Sequence, residues 1–216
     1  VLGYLAGQSI DDGSHNNTFF GHRVSDANMA DAIGNTGMGS NALGALTSGG
    51  YNTALGRNAG GSNSTGSSNV YIGNNCADTI DAESENVVIG AEALGTSGAA
   101  VTGAVFIGYG AVSGAITTGA NYTVGIGHSV LDALTSGSRN IAVGANAMDA
   151  LTVGSDNLAI GYDAMGALST VASSQRNIAI GNYAMDGVSA LAATENVFIG
   201  YASGGGGWTG TLSEKN

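Results

Sequence analysis

A glycine returns along this chain at nearly constant intervals, each time closing a short apolar run: Gly3, Gly21, Gly39, Gly56, Gly73, Gly90, Gly108, Gly127, Gly144, Gly161, Gly181 and Gly200. The gaps are 17 to 20 residues, too short for a unit that could bury a core of its own. Such a unit is stable only when its neighbours stack above and below it, so the spacing by itself demands a solenoid. The residue before each glycine is always apolar, from Leu2 and Phe20 through Ile72, Ile89 and Ile107 to Ile199. Two residues before that stand Thr18, Thr36 and Thr53, then Val70, Val87, Val105, Val124, Ile141, Leu158, Ile178 and Val197. Alternation of this kind, rich in β-branched residues, predicts a short strand with one face inward. These flanking slots are expected to supply the core. The slot between them (Phe19, Ala54, Tyr71, Val88, Phe106, Ala142, Ala159, Ala179 and Phe198) is expected to point away from it. With strands about 4.8 Å apart, twelve coils would make a rod of roughly 50 to 60 Å.

Four residues before the glycine, nine copies carry asparagine: Asn17, Asn35, Asn52, Asn69, Asn86, Asn140, Asn157, Asn177 and Asn196, with Ala104 and Thr123 as the exceptions. An aligned column of amides can bond from coil to coil, so a structural Asn ladder is expected. Three residues after the glycine the slot is small, and Cys76 occupies it in its own coil, which reads as a buried filler rather than a nucleophile. Five residues after it, Asp26, Asp78, Asp132, Asp149 and Asp186 alternate with glycines such as Gly44 and Gly166, the exchange expected of a turn. The rest of each unit, as in Ala147 to Thr152, fits either a second short strand or one helical turn. The repeats run over residues 1–203. Residues 204–216 open with four glycines and are expected to be a Gly-rich linker and tail, either a linker or itself a docking strand into whatever follows.

Composition excludes several classes. Of 216 residues, 38 are Gly and none is Pro, without a three-residue period, so collagen is out. A single Cys excludes a disulfide scaffold, and no apolar run approaches the length of a membrane span, so membrane insertion is not expected. Five Lys and Arg against 16 Asp and Glu give a net charge of −11, a field that opposes nucleic-acid binding. The apolar opening run has no basic region before it, so no signal peptide is expected.

Units such as Gly144 to Gly161, with their Asn-x-Ala-Ile-Gly core at 157–161, resemble the repeats of bacteriophage tail fibres and, with a different unit length, the head repeats of trimeric autotransporter adhesins. That resemblance implies three parallel chains about a threefold axis. It further implies a surface-binding appendage on a virion, with a bacterial surface adhesin as the alternative, other fibre or tail proteins at both ends, and a host-cell glycan or protein as receptor. An apolar outward slot repeated over many coils supports a homotrimer independently, since soluble monomers rarely leave such a patch uncovered.

The slot after the glycine carries Tyr4, His22, Tyr109, His128, Tyr162 and Tyr201, a stripe that could contact sugar rings. The longer loops around Ala115 to Tyr122 and Thr170 to Arg176 are further contact candidates. Asp78, Asp81, Glu83 and Glu85 form the densest acidic stretch and lack the ligand spacing of a calcium loop, so a solvated turn is expected. No pattern of nucleophile, metal ligands or cofactor-binding residues is present, and no cofactor is expected. A glycan-cleaving carboxylate pair such as Asp132 with Asp149 is the rival reading, but both belong to the repeat itself. An ice-binding face would need a regular Thr array, and Thr18, Thr36 and Thr53 persist for only three coils.

Overall fold

The computed structural model describes residues 2–95, 101–117, 119–168, 174–187, 193–205 and 213–214. They form an all-β parallel solenoid. Eleven three-residue strands, from Thr18–Phe20 to Val197–Ile199, stack into one sheet in strict chain order, every pair parallel. Register is fixed by the repeat: Val87 pairs with Val105, Val88 with Phe106 and Ile89 with Ile107. Among the described residues, the second half of each unit is no helix. It is a run of turns, followed towards the C-terminal end by two-residue strands, Gly154–Ser155, Ser174–Gln175 and Ala193–Thr194, that stack as a second sheet. Ser213–Glu214, in the expected linker and tail, extends this sheet by pairing with Ala193–Thr194.

The glycine column sets how closely coils approach. Each of the twelve glycines has φ between 122° and 149°, a region that side chains rarely adopt. A Cβ on Gly108 would collide with the carbonyl oxygen of Gly127, and the same clash recurs up the column until Gly200, where nothing lies in the way. The amide of each glycine meanwhile donates to the coil below, as Gly108 does to Ile89 O at 2.8 Å.

The asparagine column is the ladder that its spacing predicts. Asn52 Oδ1 accepts from both the backbone N and the Nδ2 of Asn69, each at 3.0 Å. The Nδ2 of Asn69 also donates to Glu83 O at 2.7 Å, tying the strand to the far side of its own coil. The pattern holds from Asn17 to Asn86 and again from Asn140 to Asn196. Between these runs, Ala104 N bonds Asn86 Oδ1 at 3.0 Å but has no amide to pass on, and the buried Thr123 Oγ1 has no partner.

The face assignment is the main correction to the sequence reading. Phe19, Ala54, Tyr71, Val88, Phe106, Ala142, Ala159 and Ala179, expected to point outward, are the core, each at most 1% exposed, and Phe198 packs against it. The flanking Thr, Val and Ile residues face outward instead. The cause is the parity of the strand: its middle residue alone turns into the narrow lumen, and that position holds Ala or Gly in six of the eleven strands and Phe19, Tyr71, Val88, Phe106 or Phe198 in the others. Where the slot three after the glycine enlarges to Val24 or Val130, the inward slot beside it is Gly37 or Gly125, and the valine fills the space a Cβ would take. The remaining volume is filled from the corner by Leu43, Leu94, Leu131, Met148, Met165 and Met185. All are buried, and all have φ of 51° to 57°, a backbone conformation that turns these side chains inward.

Cys76 is a buried filler as expected, its thiol 3.1 Å from Val88 O and its pKa pushed up to about 12 by burial. The acidic stretch departs from a uniformly solvated turn. Glu83 is 6% exposed with Oε2 unpartnered, near the equally unpartnered Tyr71 hydroxyl, whose pKa burial and then the Glu83 charge drive upward.

Two outcomes test this account by chemical denaturation. Gly200→Ala, with φ strain alone, should cost about 1 to 3 kcal/mol, whereas Gly108→Ala adds the collision with Gly127 and should cost more than about 4 kcal/mol. Asn157→Ala should cost about 1 to 3 kcal/mol, while Ala104→Asn with Thr123→Asn closes the ladder gap and should raise stability by about 1 kcal/mol.

Candidate functional site

The turns after the glycine column form one long corner of the solenoid, and most of its chemistry lies there. The residue two after each glycine adopts a left-handed conformation, as in Asn58, Asn75, Glu92, Asp163 and Tyr183, with φ from 51° to 58°. The chain then doubles back so that the slots one, two and five after the glycine crowd the same edge.

The aromatic slot is laid out as expected, with Tyr4, Tyr109, Tyr162 and Tyr201 exposed. The rings nevertheless meet one another first. Tyr4 and His22 stack at 5.7 Å and 11°, and Tyr109 and His128 at 5.4 Å and 25°, so in each pair one face of both rings is taken by its neighbour. The upper part differs: Tyr162, Tyr183 and Tyr201 follow one another edge to face, at 5.4 Å and 74° and then at 5.8 Å and 80°. The sequence reading missed Tyr183 because it stands two residues after Gly181, where Asn182 holds the expected slot. The left-handed turn swings it back into the column.

Carboxylates line the same corner. Asn75, Asp78, Glu92, Gly95 and Ser113 border a shallow cavity of about 250 Å³ in the middle coils. The Tyr109 hydroxyl donates to Glu92 Oε2 at 3.1 Å, which raises the Tyr109 pKa, and Ser113 Oγ donates to Asp132. Higher up, burial and then the charge of Asp163 hold the Asp149 pKa above the ordinary carboxylate range, with smaller contributions from Asp132 and Asp186. Asp163 is raised by burial and by Asp186. The pair Asp132 and Asp149 is thus part of a longer acidic column. Arg139 and Arg176 do not neutralise it, because they pair with Asp156 at 2.6 Å and Glu195 at 3.0 Å.

Among the described residues no group of His, Cys, Asp and Glu is placed to hold a metal ion, and no helix is long and apolar enough to cross a membrane. Of the longer loops, 118 and 170–173 lie outside the described residues. In the remainder, Ile116 and Ala120 are buried, whereas Tyr122 is exposed.

Comparison of the chain with protein-family models, with curated proteins and with solved structures finds no match.

The sign of the aspartate shifts gives a test. A raised folded-state pKa means the proton is bound more tightly in the folded protein. That stabilisation is fully present below the unfolded value of 3.8 and is lost as pH rises through the folded pKa. At pH 7, then, Asp149 and Asp163 are ionised at a cost. Asp149→Asn and Asp163→Asn should each raise the melting temperature at pH 7, and the gain should shrink below the unfolded pKa.

Proposed function

We propose that the chain is a structural and surface-binding segment of a fibre, most specifically of a phage tail fibre or comparable virion appendage exposed to the outside, built from three parallel copies. One observation carries this reading: the outer face of the eleven-stranded sheet. Each strand turns two side chains outward, one column running Thr18, Thr36, Thr53, Val70, Val87, Val105 and onward, the other Phe20, Met38, Leu55, Ile72, Ile89, Ile107 and onward. No charged residue interrupts either column. Phe20, Met38, Leu55, Ile126, Ile141 and Ile160 are between 38% and 49% exposed in the single chain. A flat β-branched surface along the whole rod is far more apolar than a soluble monomer leaves open, and association removes it from water. The trimer expected from the sequence therefore rests on this face and not on the inner slot.

Parallel packing of identical coils keeps equal levels of the copies side by side and leaves the acidic and aromatic corner outside. A corner repeated on every copy offers many weak contacts to a cell-surface glycan or protein, and multivalency converts these into firm attachment. The carboxylates serve binding in this reading. Their spacing is that of the turns, and the same aspartates cap or crowd neighbouring turns, as Asp186 does in accepting from Ala167 N at 3.1 Å. Further fibre elements would join at the two end edges of the stack.

Light scattering of the purified protein should give about three times the 21.0 kDa chain mass. Val87→Lys with Ile107→Lys, on the outer face, should yield a folded species of one chain mass. A stable wild-type monomer at micromolar concentration overturns the proposal.

A further inference from the structure

The tyrosine column of the last three coils differs from the stacked pairs below it in what its rings offer. In a run of three rings joined edge to face twice, each contact occupies one ring face, so at most two of the six faces are covered by a neighbouring ring, whereas a parallel stack covers one face of both its rings. At 74° and 80°, Tyr162, Tyr183 and Tyr201 form such a run, whereas the Tyr4–His22 and Tyr109–His128 stacks do not. Tyr162 and Tyr201 are 43% and 77% exposed. Asp163 and Asp186 meet at one turn, Asp163 Oδ1 lying against Gly166 and Asp186 Oδ1 accepting from Ala167 N at 3.1 Å, and Asp149 adjoins it from the coil below, where Ala150 N donates to Gly166 O at 3.3 Å. The arginines of these coils are engaged elsewhere, Arg139 by Asp156 and Arg176 by Glu195, so the patch combines open aromatic faces with carboxylates that no described cation neutralises.

We propose that the Tyr162–Tyr183–Tyr201 column, with Asp149, Asp163 and Asp186 beside it, is a docking surface for an extended arginine-bearing segment of a partner protein. A guanidinium matches both halves of this surface, because it stacks flat on a tyrosine face while its N–H groups pair with a carboxylate. An ammonium would be a weaker match, as a compact and strongly hydrated charge that cannot lie against a ring. The three carboxylates sit on successive coils about 4.8 Å apart, so more than one guanidinium of an extended segment can be engaged at once. This inference rests on the reading of the corner as the contact surface of the fibre and names the chemistry of the partner there.

The probe is a fluorescein-labelled hexa-arginine peptide titrated against the whole protein at physiological ionic strength, followed by anisotropy, with the neutral isostere hexa-citrulline as control. The arginine peptide should bind and the citrulline peptide should not. Tyr183→Ala should weaken binding about three- to thirty-fold, the range of a cation–π contact, and Tyr183→Phe, which keeps the ring, should restore it. The alanine is compatible with the backbone, since Ala202 occupies the same slot one coil up with φ 50°. Asp163→Asn with Asp186→Asn should weaken binding at least as much, while Asp81→Asn with Glu85→Gln, equal in charge removed but distant in the repeat, should not. Equal losses in the two double variants would mean that the net charge alone attracts the peptide and would overturn the proposal. So would binding unchanged in Tyr183→Ala, or binding of the citrulline peptide. Failure of the protein to attach to cells while these peptide results hold would count against the fibre reading alone.

Discussion

Contact between one coil and the next carries this molecule. A coil of 17 to 20 residues closes almost no hydrogen bonds of its own in the strand region; Gly127 N reaches back to Ile107 O, and Val105 N reaches forward to Thr123 O. The glycine column permits that approach, since any Cβ along it would strike the carbonyl of the next glycine. The asparagine ladder then fixes the register, because an amide oxygen such as that of Asn35 accepts from both the backbone and the side chain of the asparagine above it. Stability in such an object is a sum over interfaces between neighbours, so its weakest interface matters more than its average. That interface lies between the coils of Ala104 and Thr123, where the ladder loses two amides and Thr123 Oγ1 is left buried without a partner.

Close coil stacking also dictates where hydrophobic side chains can go. The lumen is shared by one inward residue per strand and by the alanines and leucine or methionine residues of the corner, and it is full, as the paired exchange of Gly37 with Val24 and Gly125 with Val130 indicates. The β-branched residues at the two flanking positions of each strand lie on the outside, while the single inward position takes side chains from Ala142 to Tyr71. An apolar outer sheet is therefore built into a solenoid of this coil length and composition.

The corner answers to different pressures. Alternating left-handed residues bring the slots one, two and five after the glycine together, so side chains distant in the chain form columns along the rod. Burial first, and then the like charges of the column, raise the pKa of Asp149. Aromatic residues at the same pitch stack or interlock. Columns of like groups are a poor design for catalysis, which needs different groups brought to one point, and a good one for repeated weak contacts.

Spacing alone determined the parallel solenoid, the glycine column, the asparagine ladder with its two exceptions and the exposed aromatic slot, because each follows from identical residues meeting in register. Cys76 was legible for the same reason, as the occupant of an alanine slot. Which face of the strand points inward was not legible. A three-residue strand has two parities, and hydrophobicity favoured the wrong one: Val and Ile flank the inner slot, yet the middle residue turns inward whether it is Ala142 or Phe106. The place of Tyr183 in the aromatic column and the inward turn of Leu131 or Met148 were likewise decided by backbone dihedrals at the corner. Those angles come from how one coil rests on the next, which no single repeat encodes.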